Sequence, residues 1–251
     1  MPNTKRMTLE QAAQFLKIQP QELRSLAVEN LINYSLQGER YYFSQDDLDV
    51  WLSRKIIALQ SLKTAAKHRE KKLLKLPDAS EPFLADLCSV DTIDCALPGR
   101  SRPAVLKALT ELAVKSECVY DPNDLYNELL EREELAATTI ENGAAFPHPH
   151  HRFDTPLFDD SFIAIAKTEN PVYFGNAPDG KPTDLFFLVC AMDSNLHILI
   201  IARLCLLCQN TTLLDELRKA ETPEELLQTL KMVDKHPEQF PSRIRQDDDN
   251  E

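Results

Sequence analysis

Residues 143–151 read GAAFPHPHH and put three of the chain's six histidines, His148, His150 and His151, within four positions. A neutral imidazole keeps a free lone pair near neutral pH, so histidine can serve as a metal ligand or as a nucleophile. In an extended segment His148 and His150 point one way and His151 the other. A zinc site would need further ligands, with Asp154 and His197 the nearest in sequence or in type, and the spacing matches no zinc signature. A nucleophile needs a fixed ring, and Pro147 and Pro149 bracket His148 and restrict the backbone on both sides. If the group accepted were phosphoryl, donors would have to neutralise its charge. A helix N-terminus offers amide donors, and DSNLH puts His197 in the first turn of a helix running to Cys208.

The elements that must hold these residues are legible from pattern. TIDCAL, SFIAIAKT and TDLFFLVCA read as strands, and the third is apolar on both faces and so central. SRPAVLKALTELAVKS is an amphipathic helix with Leu106, Leu109, Leu112 and Ala113 inward. Asp121 and Pro122 open another helix as N-cap and first residue. NLHILIIARLCLLC, TTLLDELRKA and TPEELLQTLK complete the set. Helices alternating with strands predict an α/β unit over 83–235, followed by an acidic, unstructured tail over 236–251.

The first zone, 1–53, predicts helix, turn, helix, hairpin, helix. Its markers are a capping box at TLEQ, Gln19 before Pro20, Gly38 near a hairpin tip, and Ser44 as a cap. The second, 54–82, is a basic helical linker. Leu52, Ile56, Leu59 and Ala66 lie near heptad spacing and Lys63 and Glu70 interrupt them, so both a dimerising coiled coil over 54–76 and a solvated helix fit. Pro77 stops it.

Bulk numbers narrow the function classes. Net charge is -12, divided as -2 over 1–53, +7 over 54–76 and -17 over 77–251. The C-terminal body repels nucleic acid at long range, whereas the basic segment can contact it. Only five glycines leave no Gly-rich phosphate loop. No apolar run approaches the ~18 residues of a membrane helix, and the polar start is unlike a signal peptide. Six scattered cysteines suggest buried thiols in a reducing cytoplasm. Cys205 and Cys208 share a helix face, which suits core packing better than metal. No cofactor is called for.

EREELAATTIENGAAFPHPH, FGNAPDGKPTDLFFLVCA and NLHILIIARL, with DTIDCALPGRSRPAVLKALTELA upstream, resemble in order the type 2 enzyme IIA domain. This is the mannitol/fructose and nitrogen-regulatory class of the bacterial phosphotransferase system. The resemblance covers roughly 85–232. It implies a mixed β-sheet flanked by helices on both faces. It further implies that His148 accepts phosphate from an HPr-like phosphocarrier, that His197 packs against it, and that Arg132 assists. AAFPH stands where VAIPH is commoner, and His150 and His151 are additions.

TLEQAAQFLKIQPQELRSLAVENLI and GERYYFSQDDLDVWL resemble the excisionase/MerR-like winged helix-turn-helix module. That resemblance implies DNA contacts from Gln19, Gln21, Arg24 and Ser25 on the second helix and Arg40 on the wing. Arg24 is nearly alone as a cation there, so a protein-binding surface stays open as well. The reading that joins both parts is a regulatory phosphocarrier. Two others stay open: a sugar-transport component that passes phosphate to a IIB domain, and a non-phosphorylated module, metal-dependent through the three loop histidines.

Overall fold

The computed structural model describes residues 6–16, 18–58, 83–149 and 156–241. They form two compact units. His150, His151, Asp154 and the linker beyond Ala58 lie outside the described residues, as does the tail beyond Pro241.

In the N-terminal unit, β1 (Arg6–Thr8) leads into α1 (Leu9–Leu16). The capping box forms: the Thr8 amide donates to Gln11 Oε1 at 3.0 Å, and the Gln11 amide to Thr8 Oγ1 at 3.3 Å. The second helix, α2 (Pro20–Val28), has Pro20 at its first turn; Gln19 caps it by position, with no side-chain bond. It ends at Asn30, whose φ of 55° lets the Asn30 and Leu31 amides bond back to Ala27 and Leu26. That is the left-handed stop usually made by glycine, here made by asparagine. The hairpin β2 (Ser35–Gln37) and β3 (Arg40–Ser44) turns through Gly38 at φ 62°. Ser44 Oγ then accepts the Asp47 amide at the start of α3 (Gln45–Ala58), which runs through the boundary expected at 53. The strand β1 was not expected; it pairs antiparallel with β3, giving the order β1-β3-β2. Ala13, Leu16, Leu23, Ala27, Phe43 and Leu48 fill the core.

The C-terminal unit is a five-stranded mixed sheet in the order β4-β7-β8-β6-β5. Its strands are β4 (Ile93–Leu97), β5 (Thr139–Ile140), β6 (Ala144–Ala145), β7 (Phe162–Val172) and β8 (Thr183–Cys190). As expected, β8 is central and its two faces are buried. Alternation sends Ala164, Ala166, Phe186 and Leu188 to one face, against Leu106, Leu109 and Leu112 of α4 (Arg102–Ala113) and Leu125 and Leu129 of α5 (Pro122–Leu135). Ile163, Ile165, Phe187 and Val189 serve the opposite face. There α6 (Ser194–Asn210) packs on β8, and α8 (Pro223–Lys235) packs on β4.

Two clamps fix the ends of this unit. Arg218, in α7 (Leu213–Lys219), binds both oxygens of Asp184 at 2.8 and 2.6 Å and the Asn142 carbonyl at 2.6 Å. Gly143 turns beneath it at φ 74°, where a Cβ would meet the guanidinium at 2.9 Å. On α6, Arg203 pairs with Asp234 of α8 at 2.7 Å, both side chains 2% exposed. The same carboxylate accepts the Phe83 and Leu84 amides at 2.9 Å each.

The first residues of the segment expected as a tail from 236 are ordered into the unit. Pro237–Gln239 form a 3-10 turn, and the Phe240 carbonyl accepts the Thr212 amide at 2.9 Å. The cysteines divide: Cys190, Cys205 and Cys208 are buried as expected, whereas Cys88, Cys95 and Cys118 are half-buried. Burial pushes the Cys208 thiol well above its ordinary range, consistent with core packing of the pair. Among the described residues no helix is long and apolar enough to cross a membrane.

Candidate functional site

Strand β6 stops at Ala145 because the residues after it cannot continue a ladder. Pro147 and Pro149 have no N–H, and the prolines hold Phe146 and His148 extended. The chain still runs along the sheet: the Pro147 carbonyl accepts the Val189 amide at 2.9 Å, and the Phe146 amide donates to the Thr138 carbonyl at 3.1 Å. His148 is thereby carried into the protein, only 4% exposed.

Its ring orientation follows from one contact. Nδ1 lies 2.8 Å from the Phe146 carbonyl oxygen. A carbonyl can only accept, so Nδ1 bears the proton and the lone pair sits on Nε2. That nitrogen faces Arg132, whose Nε–H donates to it at 3.0 Å. Arg132 lies in the last turn of α5, where carbonyls lose their helical partners. Its Nη1 donates to one of them, that of Ala136, at 2.9 Å. The guanidinium thus finishes a helix and reaches the imidazole with the same plane. It is 1% exposed.

His197 lies on the first turn of α6. Its ring centroid is 4.6 Å from that of His148, tilted by 52°. The three residues singled out from the sequence therefore meet, although they are remote along the chain. The helix N-terminus is less open than expected: Asp193 Oδ1 already accepts the Asn195 and Leu196 amides at 2.9 and 3.0 Å. Side chains, more than those amides, are left to meet an anion. Among the described residues no group of three or more His, Cys, Asp and Glu is arranged to hold a metal ion.

Sequence reasoning missed Glu133. It is 2% exposed and accepts the Thr138 amide at 3.1 Å and the Thr138 hydroxyl. Burial pushes its carboxyl up, against the opposing pull of the Thr138 donors and the Arg132 and Arg102 charges.

In the N-terminal unit, Gln19, Gln21, Arg24, Ser25 and Arg40 are all exposed. The Ser25 hydroxyl bonds back to the Gln21 carbonyl at 3.1 Å, within its own helix. Arg24 stacks over Tyr41, 5.5 Å from the ring centroid. Arg24 and Arg40 line one concavity with Tyr41 and Tyr42, shared with the acids Glu10 and Glu39. Arg6 was also missed, because β1 was. It bonds Ser35 Oγ at 2.8 Å and stacks 4.6 Å from the centroid of Tyr42, on the sheet face that also carries Arg40.

Comparison with known proteins places these features. Residues 86–233 match the family described as "Phosphoenolpyruvate-dependent sugar phosphotransferase system, EIIA 2", and residues 6–55 match "Helix-turn-helix domain". The nitrogen regulatory protein of Escherichia coli is 29% identical over 154 residues, 61% of this chain and 89% of that protein. That of Pseudomonas aeruginosa is 28% identical over 135 residues, 53% and 84% of the two chains. In fold the chain is similar to the nitrogen regulatory protein IIA-Ntr of Neisseria meningitidis. The TM-score is 0.52 at 23% identity, over 58% of this chain and 97% of that one.

Proposed function

Because the chain belongs to the type 2 enzyme IIA family of the phosphotransferase system and carries a helix-turn-helix domain ahead of it, we propose that it is a cytoplasmic regulatory phosphocarrier. It accepts a phosphoryl group on His148 from an HPr-like donor and couples that event to DNA or protein binding by the N-terminal domain. The observation that carries this reading is the His148 ring itself. It is held by Phe146 through Nδ1, its Nε2 lone pair faces a buried guanidinium, and a second imidazole packs on it.

The chemistry is an in-line transfer between two nitrogens. The Nε2 lone pair of His148 attacks phosphorus, a P–N bond forms, and the donor's P–N bond breaks with its electron pair returning to the donor imidazole. No proton moves when the donor ring carries a proton on its other nitrogen: that ring then leaves as a neutral imidazole, and His148 keeps its own proton on Nδ1. Charge on the transferring oxygens is met by Arg132, whose planar fork suits a phosphoryl group. Arg132 must first release Nε2, and its freed Nε–H can then donate to an oxygen. His197 packs a second imidazole against the ring that receives the charge. The phosphorylated ring stays anchored at Phe146, so the added charge is fixed in position.

The naming of the aligned relatives as nitrogen regulatory proteins, and the helix-turn-helix domain, support regulation over sugar transport. The test is incubation of the full chain with enzyme I, HPr and phosphoenolpyruvate. Acid-labile phosphate is expected on the wild type and absent from His148→Ala; equal labelling of the two sinks the assignment.

A further inference from the structure

The transfer described above gives Glu133 no part, yet the carboxyl is buried at a cost that packing alone does not require. Its bonds lead to the nucleophile. Glu133 fixes Thr138 through the amide and the hydroxyl. The Thr138 carbonyl accepts the Phe146 amide at 3.1 Å, and the Phe146 carbonyl accepts His148 Nδ1–H at 2.8 Å. The same short segment includes Ala136, whose carbonyl accepts Arg132 Nη1–H at 2.9 Å. Closing the circuit, Arg132 Nε–H meets His148 Nε2 at 3.0 Å. One carboxyl therefore braces the segment on which both the imidazole and the guanidinium are hung. Chains of this kind strengthen one another in a low dielectric and fail together when one member is lost.

We propose that Glu133 is a positioning residue of the phosphoryl-accepting site: acting through Thr138, it holds His148 in the Nδ1–H form with the Nε2 lone pair presented to Arg132. This rests on the reading of His148 as acceptor, but its primary consequence is visible without any phosphate. Glu133 touches neither reacting atom. It makes the ring's proton placement and direction a property of the folded site.

The experiment uses the full chain with 15N-labelled histidine and reads the His148 ring nitrogens in the unphosphorylated state. Wild type is expected to show one protonated and one unprotonated nitrogen, with the unprotonated one at Nε2. Glu133→Ala is expected to shift both toward an averaged position and to slow phosphoryl uptake about tenfold, with the carrier KM little changed. Glu133→Gln, whose amide oxygen still accepts the Thr138 N–H, is expected to restore both readouts. Thr138→Val removes the hydroxyl while keeping shape, and serves if the alanine variant does not fold; a smaller change of the same sign is expected. A wild-type ring pattern in Thr138→Val and in folded Glu133→Ala overturns the proposal. If the ring responds to Glu133 while wild type takes up no phosphate, the positioning role stands and the acceptor reading falls.

Discussion

A guanidinium and an imidazole buried side by side need a reason, and the bond between them supplies one. Arg132 meets His148 through Nε, which leaves Nη1 in the same plane to donate to the Ala136 carbonyl. Lysine cannot reproduce this, since a single ammonium cannot bond Ala136 and His148 in the same geometry. Arg132→Lys is expected to slow phosphoryl uptake by about 100-fold, the scale of losing one preorganised donor. A radiolabelled transfer time course checks this; a loss of twofold or less would remove Arg132 from the chemistry. At this scale the sequence was informative where motifs recur and silent where they do not. The meeting of His148, His197 and Arg132 was legible because each sits in a segment resembling a known family. Glu133 lies in EREEL, which reads as a solvated acidic helix face. A signal was present, however. Leu125, Leu129, Arg132 and Glu133 fall at i, i+4, i+7 and i+8, the spacing of one buried stripe, and all four are buried. A charged pair continuing an apolar stripe marks a site.

At the scale of elements, the helices and long strands were legible because caps and periodicity are local. Asp121 accepts the Asn123 amide at 2.7 Å, as its position before Pro122 implied. The short strands β1, β5 and β6 were not legible. Two or three residues carry no period, and their pairing depends on partners far along the chain. The segment between α5 and β5 shows how closely such pieces are fitted. A Cβ on Gly175 would sit 2.5 Å from the Cβ of Ala137. Gly175→Ala must therefore push the segment that carries Ala136 and Thr138. Overpacking of this kind costs about 1–3 kcal/mol, so urea unfolding should show a lower midpoint. Uptake of phosphate should fall as well, in a variant that alters no residue of the site. Reduced stability with an unchanged uptake rate would mean that the segment relaxes without disturbing His148.

At the scale of the molecule, charge is the deciding quantity. The chain carries -12, and among the described residues the helix-turn-helix unit exposes four arginines, Arg6, Arg24, Arg40 and Arg54, the first three on the second helix and the small sheet. Affinity for duplex DNA falls with salt by a logarithmic slope of about -0.9 per phosphate neutralised, so contact through Arg6, Arg24 and Arg40 predicts a slope of roughly -3. Fluorescence anisotropy of a labelled duplex across a salt series measures it. The pair Arg6→Ala and Arg40→Ala should flatten the slope by about 2. A much steeper wild-type slope that ignores both substitutions would assign the binding to the basic segment 54–76. Absence of DNA binding at low salt would favour a protein partner for this unit.

Helix α6 is a mostly buried rod of the C-terminal unit. One end leans its histidine on the His148 ring. Two turns further on, Arg203 grips Asp234, and Asp234 in turn holds the amides of Phe83 and Leu84, where the preceding chain joins the unit. A helix packed at interior density transmits strain along its length. A charge added to the His148 ring would therefore press on the same helix that, through Arg203 and Asp234, holds Phe83 and Leu84, as a load on one end of a beam is felt at its far support.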